Sequence, residues 1–147
     1  MQWSERALKW LLRVSAVILL IALIPIVIPY EWMNAIHRWL EMGELPRTPI
    51  VGYLTRSCSA LYAFHGVILG FVSFDILRFL PVIRCLLWLA VAFGVVMLGI
   101  DVAVGMPTYW IICEGPFVVV FSATLLWLAH RTGRHRADLL YRDRPVA

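Results

Sequence analysis

The chain has 147 residues, of which 62% are hydrophobic and 15% are charged, with a formal net charge of +4 at pH 7 and a mean hydropathy of +0.83. Such a composition leaves too little polar surface to cover a particle in water, so it excludes an ordinary water-soluble domain. Because a bilayer-spanning helix needs about 20 apolar residues, four spans use nearly the whole chain and predict a single membrane domain over residues 1–147.

The first predicted span covers residues 7–29 and has an uninterrupted apolar centre behind three basic residues. A signal peptide has a similar layout. However, no small-x-small cleavage site precedes Tyr30 and the apolar run is long, so we expect a retained helix. Pro25 and Pro29 are expected to bend this helix and then end it.

Residues 30–43 are predicted to form a short amphipathic helix that lies in the membrane interface, with Gly43 as its C-terminal stop. An ordinary ordered loop is the alternative. The apolar side chains recur near helical spacing among charged and polar ones, and tryptophan favours the headgroup level. These apolar positions are Trp32, Met33, Ile36, Trp39 and Leu40.

The other three predicted spans cover residues 49–74, 81–104 and 108–129. Thr48 followed by Pro49 is typical of a helix start, because a hydroxyl can cap the helix and proline suits its first position. The tight turn GMPT between the last two spans makes them an antiparallel pair. Together these elements predict an all-α fold, a four-helix transmembrane bundle with a short interfacial helix between spans one and two.

The distribution of basic residues predicts that both termini are cytoplasmic. Ten of the thirteen Lys and Arg residues fall on that side: three before the apolar centre of the first span, two that flank the second connection and five after the fourth span. The positive-inside rule places such loops and ends in the cytoplasm. The basic tail, residues 130–147, is expected to contact anionic lipids, and no nucleic-acid partner is expected.

Three ionisable residues are predicted to lie at similar depth near the outer membrane surface: Arg56, Asp101 and Glu114. Counting from the outer helix ends at 1.5 Å per residue places all three about 6 to 10 Å below the boundary. A charge that faces lipid is costly, so we expect the guanidinium and the carboxyl groups to meet inside the bundle. The cluster can be a structural ion-pair network or a site for a proton, an ion or a polar ligand.

Glu114 is followed by Gly115 and Pro116, and Pro116 has no N–H to donate to the carbonyl of Ile112. A free carbonyl beside a carboxyl group is a combination that broken transporter helices use to bind ions. A plain proline kink has the same pattern, and we favour it here.

His65 is predicted to lie near mid-membrane with Tyr62 and Cys58 around it, on the opposite side of its helix from Arg56. We interpret it as a neutral histidine that hydrogen-bonds a neighbouring helix, with a proton relay or a haem or metal ligand as alternatives. No second histidine lies at that depth, and the cysteines have unrelated spacings. No cofactor, no metal site and no catalytic residue are therefore expected.

The stretch RSCSALYA at residues 56–63, with Gly66 after it, and the four-span layout resemble small bacterial inner-membrane proteins of the DoxX-like kind. This resemblance implies a multi-pass protein of the bacterial inner membrane that is sometimes a partner of redox enzymes. It carries over no catalytic residue.

Three functional hypotheses follow. The first is an accessory or assembly subunit, in which the polar cluster serves structure and the partners are membrane lipids, a second copy or another membrane protein. The second is a small ion- or proton-coupled transporter or channel that uses Glu114, Asp101 and Arg56. The third is a redox or enzyme component that uses His65.

Overall fold

The computed structural model describes residues 3–142, and all regular structure in this range is helical. The first helix is continued through a 3-10 turn at Ile21–Leu23 into a short second one, and a break at Glu114 divides the last long helix. The helices are α1 (Trp3–Leu20), α2 (Ile24–Val27), α3 (Tyr30–Trp39), α4 (Pro49–Val72), α5 (Leu80–Val104), α6 (Thr108–Cys113) and α7 (Gly115–Arg142).

Three stretches are long and apolar enough to cross a membrane, namely Trp3–Val27, Leu80–Val104 and Thr108–Arg136. They indicate a membrane protein. With 24 residues α4 is also long enough, but it is not among these three, because its polar side chains lower its hydropathy. The all-α class is thus observed, and three of the four predicted spans are long and apolar enough to cross a membrane.

The predicted stretches 49–74 and 81–104 correspond to α4 and α5 within two residues. The stretch 108–129 differs more, because α6 ends at Cys113 and α7 then runs on to Arg142. Most of the predicted tail is therefore helical, and residues 143–147 lie outside the described range. Polar residues beyond a membrane boundary can continue a helix, so hydropathy alone does not locate its end.

The four long helices run antiparallel to their neighbours. In space α4 packs on α1, α1 packs on α7 and α7 packs on α5, whereas α4 and α5 touch little. Glycine allows two of these close approaches. Gly66 lies against the backbone of α1 near Ala16 and Leu20, and Gly94 of α5 lies against Gly115 of α7. Small residues at such crossings are typical of membrane helices, because they let backbones pack closely.

The buried apolar side chains are concentrated in the half of the protein that contains the termini. Ser4 and Thr132 are hydrogen-bonded at this end, and α1, α4, α5 and α7 all contribute. The outer half has few buried side chains. The largest contributors to the core are Leu8, Leu12, Leu69, Ile83, Leu87, Leu125 and Leu128. The helices are therefore held together mainly on the terminal side.

Helix α3 ends earlier than predicted. Its last residue is Trp39, and Glu41 takes a left-handed conformation with φ 54°. The N–H of Met42 donates to the carbonyl of His37, at 3.1 Å. This is the Schellman arrangement of a helix end, with Glu41 in the position that glycine usually occupies. Gly43 therefore does not stop the helix.

The apolar side chains of α3 differ in their exposure. Met33 is buried against the protein, whereas Trp32 and Trp39 are 64% and 80% exposed. An ion pair of 2.5 Å between Arg47 and Glu31 ties the following loop back to the helix. The exposed tryptophans are those that an interfacial helix would place among headgroups.

The glycine contact between α5 and α7 yields a prediction. A Cβ at Gly115 would lie 2.8 Å from the carbonyl oxygen of Gly94 and 2.9 Å from the amide nitrogen of Leu98, so the backbones would have to separate. We expect Gly115→Ala to lower the free energy of unfolding by about 1–3 kcal/mol. Thermal and denaturant unfolding in detergent micelles measure the change.

Gly99→Ala is the matched control, because a Cβ at Gly99 meets nothing within 4 Å. Alanine favours a helix over glycine by up to about 1 kcal/mol, so this variant should be as stable as the parent or more so. Equal losses in the two variants would contradict the close packing of α5 on α7.

Candidate functional site

Arg56 binds the end of the first span. Its Nε donates to the carbonyl of Ile26 at 3.0 Å, and its Nη2 donates to the carbonyl of Ile28 at 3.3 Å. The helix ends at Val27, so the carbonyls near it have no intrahelical partner. A half-buried guanidinium with several donors can satisfy two of them at once.

The prolines of the first span explain why these carbonyls are free. Pro25 has no N–H to donate. A 3-10 turn precedes it, in which the N–H of Ile24 donates to the carbonyl of Ile21. Pro29 then starts α3 as its N-cap, with extended backbone at φ −60° and ψ 153°. The carbonyls of Ile26 and Ile28, at the junction of the two helices, accept from Arg56 in place of an intrahelical donor.

Asp101 is the most deeply buried carboxyl group among the described residues, with 3% of its surface exposed. It lies one turn before the left-handed Gly105 that ends α5. Its Oδ2 atom is buried and has no hydrogen-bond partner. A buried ionised carboxylate without a donor costs several kcal/mol in principle, so such a group needs a proton or a cation.

Glu114 occupies the break between α6 and α7, with φ −85° and ψ −78°. The Nε1–H of Trp110, four residues earlier, donates to its Oε2. The next helix starts at Gly115 and Pro116, as the missing N–H of proline leads one to expect. The helix is thus interrupted at the predicted point, which places a partly exposed carboxyl group there.

The two carboxyl groups belong to one neighbourhood. Gly115, next to Glu114, packs on Leu98 of α5, one turn before Asp101. The two acidic groups are close enough for their charges to interact, and the hydroxyl of Tyr62 on α4 is close enough to interact with Glu114. We call Asp101 and Glu114 the carboxyl pair. Two carboxylates whose charges interact repel, and a proton or a small cation bound to either one reduces that repulsion.

The predicted three-way ion-pair cluster is not formed. Arg56 lies with α1 and α2, whereas the carboxyl pair lies between α5 and the last helices, and no ion pair joins Arg56 to either carboxyl group. The estimate of equal depth could not reveal this difference. Backbone carbonyls released by the proline-containing span compete for the guanidinium, and they lie on the helix against which α4 packs.

The remaining candidates do not form a second site. His65 is half-buried and its ring has no hydrogen bond to the rest of the described chain, so the expected bond to a neighbouring helix is absent. Tyr62 contacts Phe93 edge-on, with ring centroids 6.3 Å apart. Within residues 3–142 no three His, Cys, Asp or Glu side chains are arranged to hold a metal ion. The three cysteines in that range are unpaired and exposed.

Two features of this region were not predicted from the sequence: the indole of Trp110 as a donor, and the free carbonyls at the end of the first span as acceptors. The spacing of four between Trp110 and Glu114 places both on one helix face, which could have indicated the indole as a donor. Likewise Pro25 and Pro29 could have indicated free carbonyls at the outer end of the first span. Neither signal names the partner side chain by itself, since that depends on which helices pack together.

The separation of Arg56 from the carboxyl pair can be tested with a double-mutant cycle. Arg56→Met removes the donors to Ile26 and Ile28, and we expect it to lower the free energy of unfolding by about 2 kcal/mol or more. Asp101→Asn should change stability independently, and the two effects should add within about 0.5 kcal/mol. Unfolding of both single variants and the double variant in the same detergent measures this sum.

Arg47→Met is the control for the loss of an arginine on the same side. Its ion pair with Glu31 is 71% and 66% exposed, so about 1 kcal/mol or less should be lost. A coupling free energy well above 1 kcal/mol between Arg56 and Asp101 would show that the two side chains are paired after all.

The comparisons with known proteins identify no relative. No family model, no curated protein and no solved structure matches this chain. The DoxX-like resemblance therefore stays a prediction. Arg56 and the carboxyl pair are the features from which a function can be inferred.

Proposed function

We propose that this chain is a small multi-pass membrane protein that binds a proton or a small monovalent cation at the carboxyl pair, as part of ion-coupled transport. The observation that carries the proposal is the buried Oδ2 atom of Asp101, which has no donor although the side chain is only 3% exposed. Ionisable groups inside membrane segments are costly and usually mark ion or proton paths.

The position of the pair supports binding from the outer side. Asp101 lies four residues before Gly105, and Glu114 lies six residues after Thr108, so both are about 6 to 9 Å from the connection between α5 and α6. Glu114 is partly exposed, which gives a proton or a cation a way in. Asp101 behind it would supply the buried charge that holds the ion.

We further propose that α4 is a fourth span and that both termini are cytoplasmic, in the inner membrane of a bacterium. Helix α4 has 24 residues, about 36 Å, and it runs antiparallel to α1 along that helix. Arg56, its charged residue, is satisfied within the protein rather than facing lipid. Ten of the thirteen basic residues would then lie on the cytoplasmic side, as the positive-inside rule requires.

The second candidate is an accessory or assembly subunit, favoured by the weak packing of α4 on α5. A carboxyl pair with no cation of its own can be matched by a Lys or Arg side chain from a partner's membrane helix. The partner could be a second copy or another membrane protein, as the DoxX-like resemblance implies. A redox role for His65 has no comparable support, because no second ligand accompanies it in the described chain.

The proposed membrane topology can be tested with two reporter fusions. A fluorescent protein fused after Ala147 should fluoresce, and alkaline phosphatase inserted at Glu44 should be active, because four spans place the first in the cytoplasm and the second outside. If α4 did not cross, a cytoplasmic N-terminus would put the C-terminus outside. Fluorescence and phosphatase activity measured in bacterial cells distinguish four spans from three.

Ion binding can be tested by thermal unfolding. In detergent, sodium chloride or acidification should raise the unfolding temperature of the protein, because a ligand that binds only the folded state stabilises it, by about 2.7 kcal/mol at 100 times its Kd. Choline chloride at the same ionic strength is the salt control. Glu114→Gln and Asp101→Asn should each abolish the ion-specific part of the increase.

The same variants test transport in liposomes. Sodium uptake and proton flux should fall at least tenfold in Glu114→Gln and in Asp101→Asn, whereas Glu44→Gln, which removes an exposed outer carboxylate, should leave both rates unchanged. Unchanged flux with lost stability would reject ion coupling. Loss of a copurifying partner in the carboxyl variants alone would instead favour the assembly subunit.

A further inference from the structure

A groove lies on the exposed surface of α5 and α7, in the half of the protein that contains the termini, and it is separate from the carboxyl pair. It encloses about 410 Å³ between Trp88 and Trp127, with Ala123 and Leu126 in its floor and Arg134 at its end. We call it the tryptophan groove. Trp88 and Trp127 are 59% and 53% exposed, so both indoles border the space rather than fill the core.

The charge of the groove is confined to one end. Arg134 makes no hydrogen bond or ion pair with the described residues, and no acidic side chain lines the groove. His130 lies beside it, with its Nδ1 2.8 Å from the carbonyl of Leu126, which leaves its Nε2 without an intramolecular partner. The groove therefore presents an imidazole, and a cation that has no partner among the described residues, above an apolar floor.

The length of the groove matches one leaflet. Arg134 and Ala123 are eleven residues apart on α7, about 16 Å along the helix axis. Half of a bilayer hydrocarbon core is about 15 Å thick. With Arg134 at the headgroup level, the apolar part would extend to about the depth that one acyl chain reaches.

We propose that the tryptophan groove binds an anionic phospholipid of the leaflet on the side of the termini. The phosphate lies at Arg134, where the guanidinium donates to its oxygens, and one acyl chain lies between Trp88 and Trp127 over Ala123. Guanidinium and phosphate form strong charge-assisted hydrogen bonds. Indoles suit the boundary between headgroup and acyl chain.

A second copy of the chain fits this groove less well than a lipid does. Its terminal side would bring its own basic side chains against Arg134, and like charges would repel. The described basic residues on this side include Arg6, Lys9, Arg13, Arg131 and Arg136. An anionic headgroup complements the same charges.

Native mass spectrometry of the delipidated full chain in a neutral detergent tests the proposal, with phosphatidylglycerol and phosphatidylcholine of identical acyl chains as probes. Phosphatidylglycerol should bind more tightly to the parent, and Arg134→Gln should weaken it about fivefold, the effect of one basic residue at an anionic surface. Phosphatidylcholine binding should fall less, because the choline cation offsets the charge of its phosphate. Trp88→Ala should weaken both lipids.

Arg6→Gln is the matched control, because Arg6 is exposed on α1 and lies outside the groove. It should leave phosphatidylglycerol binding unchanged. An equal loss in Arg6→Gln and Arg134→Gln would overturn the proposal in favour of general electrostatic attraction. If excess glycerol phosphate displaced the lipid, the headgroup alone would account for the binding, and the proposed contact with an acyl chain would be wrong. A shift of the monomer–dimer ratio in lipid-free Trp88→Ala would instead assign the groove to self-association.

Discussion

The carbonyl groups at the outer end of the first span determine how the polar residues of this protein are arranged. Pro25 and Pro29 interrupt the helix there, and the carbonyls near its end have no intrahelical donor. Arg56 supplies the missing donors to Ile26 and Ile28. The guanidinium is used in this way, and among the described residues no basic side chain forms an ion pair with Asp101 or Glu114.

This division follows the packing of the helices. The large apolar side chains bind α1, α4, α5 and α7 together on the terminal side, where the buried leucines lie. On the outer side α4 pairs with α1 and α2, and α5 pairs with α6 and α7. Arg56 belongs to the first pair and the carboxyl pair to the second. The helix arrangement, rather than depth in the membrane, therefore decides which ionisable groups meet.

Hydropathy and capping residues predicted most of the helices, because each depends on a short stretch of sequence. Thr48 and Pro49 mark the start of α4, and the turn after Val104 separates α5 from α6. The end of α3 was predicted at Gly43, but Glu41 takes the left-handed position instead. Either residue can adopt the left-handed conformation that ends a helix. With the earlier end, the N–H of Leu45 in the loop donates to the side chain of Asn34.

The site was less predictable for a physical reason. The sequence contains the residue types and allows their depths to be estimated, and the charges of two of the three grouped residues, Asp101 and Glu114, interact in the structure. It does not contain the competition between acceptors for Arg56, because a carbonyl becomes an acceptor only after the helix around it has ended. Such competition is decided by which helices touch, and the periodicity of the sequence carries no signal for that.

The same packing indicates how an ion at the carboxyl pair could move further. The leucine side chains that fill the terminal half would separate an ion bound at the carboxyl pair from that end of the protein. Tyr62 and His65 lie on α4, a helix that makes few contacts with α5. A shift of α4 against α5 would break few apolar contacts, whereas a shift of α7 against α5 would break the glycine contact at Gly94 and Gly115. Any opening toward the terminal side is therefore expected along α4, where the remaining polar side chains of the membrane region lie.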